Sequence, residues 1–260
     1  MPSKKHILFS FFFLFSLQAF TQDGWKKKYA LQNSLSSVCR NVIEAPNGNF
    51  IMIGLTYDTI NNPGTNRLTI VGTDASGNML WRKDYGRYSF EYLDNMLAPE
   101  GAVIYDQNYF YHTLGVRDSN NKYIGVIIKF DYNGDTLWQR IFRDPAQDLM
   151  PQGICKSVDG GFIITGAFQN WTNNTRPCLL LKTDLNGNEL WRKAINKAPP
   201  NVHDGHSPVQ DSATKRIIVV GYQYIGPNYD THNSILILDS LGNKIMQTTS
   251  NNAGGGGQLN

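Results

Sequence analysis

Beyond its first seventeen residues the chain contains no apolar run near the eighteen or so residues that a spanning helix needs, so no membrane helix is expected in the mature protein. Cysteine is scarce: Cys39, Cys155 and Cys178 are three in number and widely spaced. That excludes a disulfide-dense scaffold, and it offers no zinc-type spacing. The three read as small, mostly buried hydrophobes with one or more free thiols. Charge is also thin, at 17% of residues and a net +3, with no basic face to neutralise a row of phosphates, so nucleic acid is not an expected partner. Helix-length amphipathic segments are missing. So are Gly-x-Ser-x-Gly, His-Glu-x-x-His and any glycine-rich phosphate loop after a strand. No catalytic residue, metal ligand or cofactor is assigned from the sequence. His203-Asp204-Gly205-His206 and Asp131-Tyr132-Asn133-Gly134-Asp135 have metal-loop overtones, but both read as polar turns.

What is present begins with a leader. Lys4 and Lys5 precede the apolar run Ile7–Leu17, and Ala19 and Thr21 supply small residues near a cleavage point. Residues 1–21 therefore read as a secretory signal peptide, and the mature protein as secreted, periplasmic or cell-surface.

After the leader a unit recurs. Asp74-Ala75-Ser76-Gly77-Asn78 returns as Asp131-Tyr132-Asn133-Gly134-Asp135, Asp184-Leu185-Asn186-Gly187-Asn188 and Asp239-Ser240-Leu241-Gly242-Asn243, at steps of 57, 53 and 55 residues. Trp81, Trp138 and Trp191 follow the first three copies; Met246 holds the place in the fourth, and Trp25 heads a similar strand near the N-terminus. Each unit reads as four short strands, the fourth over Met79–Tyr85, Thr136–Phe142, Glu189–Ile195 and Lys244–Thr248 in turn, with only a weak first strand in the last unit, around Pro208–Gln210. Runs such as Phe162-Ile163-Ile164-Thr165 and Ile217-Ile218-Val219-Val220 are bulky, β-branched and bounded by Gly or Asn, as in strands buried on both faces. A four-stranded sheet of this size cannot hide both faces alone, so the sheets stack radially with an indole at each seam. The expected fold is all-β: a β-propeller of four-stranded antiparallel blades, about four in number. The repeats fall near 36–86, 92–143, 150–197 and 206–249, with a flexible tail over 250–260. The strand at 24–31 is one too many for a closed four-bladed ring, so an unclosed arc, or a piece of a longer propeller, is expected.

The Asp-x-x-Gly-Asn-x-Leu-Trp-x-Lys pattern, preceded by Gly160-Gly161-Phe162-Ile163-Ile164-Thr165-Gly166, resembles the β-propeller repeats of secreted Bacteroidetes proteins, many of which carry a type IX secretion sorting domain. The resemblance covers nearly all of residues 24–249 and implies fold rather than activity; no sorting domain is visible. A more distant likeness is to the tryptophan-docking repeat of quinoprotein dehydrogenases, which has one residue more between Asp and Gly.

Binding residues gather on long loops held by a rigid scaffold. The connections between second and third strands read as the long ones, near Thr56–Arg67, Gly115–Tyr123, Ala167–Pro177 and Tyr222–Asn233, and they hold Tyr57, Trp171, Tyr222, Tyr224, Tyr229, Asp230 and His232. Aromatic rings with polar ends suit a glycan or peptide surface. The expected function is a binding or scaffolding module for a carbohydrate or protein partner. The alternatives are a propeller enzyme (a quinoprotein-like dehydrogenase, or a polysaccharide lyase or hydrolase) and a rigid spacer in a larger secreted protein.

Overall fold

A computed structural model describes residues 26–27, 29, 34–58, 65–85, 103–118, 120, 122–170, 175–195, 202–225 and 230–250. They form sixteen strands in four sheets, each an antiparallel meander. Blade 1 is β1 (Ser34–Glu44), β2 (Phe50–Asp58), β3 (Thr65–Thr73) and β4 (Met79–Tyr85). Blade 2 is β5 (Val103–Tyr105), β6 (Tyr109–Arg117), β7 (Tyr123–Asp131) and β8 (Thr136–Phe142). Blade 3 is β9 (Asp148–Lys156), β10 (Phe162–Gln169), β11 (Cys178–Thr183) and β12 (Glu189–Ile195). Blade 4 is β13 (Val202–Gln210), β14 (Ile217–Ile225), β15 (Asp230–Leu238) and β16 (Lys244–Thr249). Among the described residues no helix is long and apolar enough to cross a membrane.

The repeated turn has one geometry throughout. In blade 3 the Asp184 carboxylate accepts hydrogen bonds from the Asn188 backbone N–H at 2.8 Å and from the Asn188 amide at 2.9 Å, and the Gly187 N–H reaches the Asp184 carbonyl at 3.1 Å. Gly187 sits at φ 78°, and its equivalents Gly77, Gly134 and Gly242 at 75–79°, a conformation that residues with a Cβ adopt only at a cost. One step later a β-bulge shifts the register: Thr183 faces Glu189, whereas Lys182 faces Trp191.

The core lies between sheets. Ile53 and Ile70 of blade 1 meet Phe110, Val126 and Phe130 of blade 2. Tyr111 and Ile127 of blade 2 meet Phe162, Ile164 and Leu181 of blade 3; Ile163 and Leu180 of blade 3 meet Ile217, Val219 and Leu236 of blade 4. Burying each of these side chains contributes about 1.5–3 kcal/mol. The Trp of each of the first three blades lies over the turn of the next. A Cβ on Gly134 would stand 2.7 Å from the Trp81 ring, and one on Gly187 or Gly242 would stand 2.8 Å from Trp138 or Trp191. A basic residue two places on from each Trp covers its ring and reaches the same turn: Lys83 bonds Asp135, Arg140 bonds Asn188 and Lys193 bonds Asn243. The sheets are β-propeller blades. Among the described residues no core cluster joins blade 1 to blade 4, so the four described sheets do not close into a ring.

Strand ends differ from the sequence expectation on one side of the molecule. The β4, β8 and β12 boundaries coincide with those read from the repeat. The second strands instead run several residues further, as do the third strands of blades 1 and 4, because the antiparallel ladder continues: Tyr222 pairs with Asn233 and Tyr224 with Thr231, whereas β11 keeps the expected bounds. The first strand of blade 4, expected only near Pro208–Gln210, starts at Val202, so His203–His206 is strand and not turn.

Candidate binding site

The strand extensions carry the sequence-predicted residues with them. Tyr222 and Tyr224 lie on β14, and Asp230 and His232 on β15, rather than in a loop. Trp25, Trp171 and Tyr229, and the side chains of Tyr57 and Asp230, fall outside the described residues. All the β14 and β15 positions sit at the end of blade 4 that carries the 226–229 connection, and the Val202 end of β13 pairs alongside.

That end of the blade surrounds a buried ion pair. Asp204, opposite Tyr222 in the β13–β14 ladder, is only 1% exposed. Arg176, which enters from blade 3 just ahead of β11, donates from Nε to Asp204 Oδ1 at 2.7 Å. Among the described residues one further atom of each partner, Arg176 Nη2 and Asp204 Oδ2, has no hydrogen-bond partner although both are buried. A guanidinium and a carboxylate usually meet through two parallel bonds, so this pair is half made and retains one free donor and one free acceptor. Burial raises the Asp204 pKa; the Arg176 and His206 charges offset this only in part.

Aromatic rings complete the surroundings. His206 meets Tyr222 edge-on with ring centroids 4.9 Å apart, and Tyr222 is 41% exposed. Tyr224 is half-buried, and its pKa is raised by burial and then by the Asp204 charge. Behind it Gln223 accepts from the Gln247 amide at 2.7 Å and the Thr249 hydroxyl at 3.1 Å. His232 is turned away, its Nδ1 2.7 Å from the Ser250 carbonyl.

No protein-family model matches the chain, and no curated protein is similar to it. Solved structures are similar at the level of the fold. An exo-β-1,3-galactanase from Phanerochaete chrysosporium is 14% identical with a TM-score of 0.48, over 78% of this chain and 46% of that one. This chain therefore spans about half the length of that enzyme. An α-L-arabinofuranosidase from Clostridium thermocellum is 12% identical with a TM-score of 0.40, over 80% of this chain and 71% of that one. A protein of unknown function from Bacteroides caccae is 9% identical with a TM-score of 0.36, over 83% of each chain.

The structure thus brings together Tyr222 and Tyr224 from the sequence reading and adds Arg176, Asp204 and His206. Asp204 was visible in the His-Asp-Gly-His run but read as a turn residue. Arg176 carried no signal, because its partner lies 28 residues away on another blade.

The cysteines are all free in the structure, and they differ from one another. Burial pushes the Cys155 and Cys178 thiols up to about 12. Cys39 is exposed, contrary to the expectation of burial.

Proposed function

We propose that this end of blades 3 and 4 binds a carbohydrate. The observation that carries the reading is the half-made Arg176–Asp204 pair, set among the rings of His206, Tyr222 and Tyr224. A sugar presents neighbouring hydroxyls that both donate and accept, which matches the unmade bonds of the guanidinium and the carboxylate; both atoms are buried, so a hydroxyl reaches them only once the side chains around the pair move aside. The sugar's C–H face suits an aromatic ring. Binding is favoured over glycoside cleavage by the same cluster. The two-carboxylate route needs an acid and a base or nucleophile free to act, whereas the Asp204 carboxylate is held by an arginine. The leader at residues 1–21 and the likeness of the repeat to secreted Bacteroidetes propellers support an exported protein, and we place its carbohydrate partner outside the cytoplasm.

A panel of neutral and acidic polysaccharides, read by calorimetry, tests the reading with Tyr222→Ala and Tyr224→Ala. Tyr222 is exposed, so its removal leaves the fold intact. Loss of a stacking ring is expected to weaken binding about five- to tenfold, about 1–1.4 kcal/mol. Absence of binding, or binding indifferent to both changes, would overturn the site.

A further inference from the structure

We propose that the gap between blade 4 and blade 1 takes a three-stranded antiparallel β-meander, which pairs with the 26–29 segment as its fourth strand and completes a ring of five blades. The first support is what the N-terminal segment does. Lys27 Nζ donates to Asn78 Oδ1 at 3.0 Å, and the Tyr29 hydroxyl donates to the Gly77 carbonyl at 2.8 Å. The same bonds recur at the first internal seam, where Lys83 reaches Asp135 and Tyr85 reaches the Gly134 carbonyl. Residues 26, 27 and 29 therefore stand where the fourth strand of a preceding blade stands, without the three strands that accompany every other fourth strand.

The second support is a bare face. In β2, β6 and β10 the residues Ile53, Thr113 and Thr165 hold one repeat position, and their cross-strand partners are Ile70, Ile127 and Leu180; all six are 0% exposed beneath the next blade. Their equivalents on blade 4, Val220 and Ile235, pair with each other in the same register and are 41% and 39% exposed. On the opposite side of the gap, Tyr29, Val38, Met52 and Val71 line a depression of about 200 Å³ on blade 1.

The third support fixes the number of blades. Blade 4 alone has Met246 in place of Trp and Thr248 in place of the basic residue. Those two side chains exist elsewhere to grip the turn between the third and fourth strands of the following blade. A blade whose fourth strand is the separate 26–29 segment has no such turn, so the blade next to blade 4 is the composite one. A second copy of blades 1–4 does not satisfy this geometry. Each of its blades already holds a fourth strand, and stacking one on blade 1 would need the place that Lys27 and Tyr29 occupy.

A synthetic peptide of residues 202–238, three strands of this repeat, serves as the probe, mixed with the full 260-residue chain and read by sedimentation and hydrogen exchange. A 1:1 complex is expected that protects the amides of 26–29 and 218–220 and is weakened at least tenfold by Ile235→Asp or Tyr29→Ala in the full chain. A soluble peptide that forms no complex would overturn the proposal. So would a complex indifferent to both substitutions, or a chain that by itself dimerises through Ile235. Should the peptide precipitate, the same strands are appended to residue 260 through a flexible linker. Tyr29→Ala is then expected to lower the melting temperature more in the extended chain than in the original, and equal losses would count against the composite blade.

Discussion

The indole of Trp138 lies over Gly187, a glycine of the next blade, so closely that a single added carbon would stand 2.8 Å from the ring. The turn geometry and the seam packing thus converge on one residue. Gly187→Ala must force both a left-handed backbone on a residue with a Cβ, about 1–2 kcal/mol, and an overpacked seam, about 1–3 kcal/mol. Gly48, at φ 79°, has nothing within 4 Å of the corresponding carbon, so Gly48→Ala meets only the backbone cost. Urea unfolding of the two variants is expected to show Gly187→Ala as the more destabilised, and the difference measures the seam.

Arg176→Ala is expected to cost about 3–5 kcal/mol, because it strands the Asp204 carboxylate in a buried setting. Replacing both residues by apolar side chains of similar size, Arg176→Met with Asp204→Leu, is expected to recover most of that loss. Denaturant melts of the single and double variants check it; a double variant as unstable as the single would show that the pair itself stabilises the seam.

Acid stability follows from the turns. Hydrogen bonds from Asn78, Asn188 and Asn243 hold the carboxyls of Asp74, Asp184 and Asp239 below their ordinary value of 3.8. The unfolded chain therefore takes up protons first as pH falls. The contribution of these groups is complete above pH 3.8 and disappears as pH drops through their folded values. A melting-temperature series from pH 6 to pH 2 is expected to fall in that lower range, and to fall less steeply in Asp184→Asn.

Thiol chemistry separates the cysteines. At pH 8 the native protein is expected to consume one equivalent of a disulfide reagent, the Cys39 thiolate forming a mixed disulfide and displacing the reagent's thiolate, slowly because partial desolvation of its sulfur raises that pKa as well. Cys155 and Cys178, both pushed to about 12, are expected to react only after denaturation. Cys39→Ser should abolish the native reaction.

The fold was legible where local chemistry repeats. Asp-x-x-Gly-Asn states its turn outright, and the strands that follow it, β4, β8 and β12, begin and end where the pattern says. The candidate site was legible only in part. Tyr222 and Tyr224 drew attention as aromatics near a connection, yet they belong to a ladder that continues past Gly221, and no composition rule says where cross-strand pairing stops. Arg176 and Asp204 were invisible as a pair, since an ion pair across two blades depends on how the sheets stack.

Because each indole is received by the unit after its own, the self-sufficient segment of this chain runs from one glycine turn through the tryptophan beyond it to the next turn, and it straddles two sheets. Duplication or recombination in steps of that length keeps every contact matched whichever point is cut. An exchange of single sheets between relatives would instead break two matched contacts at once, so inheritance in this architecture is expected to travel by seam.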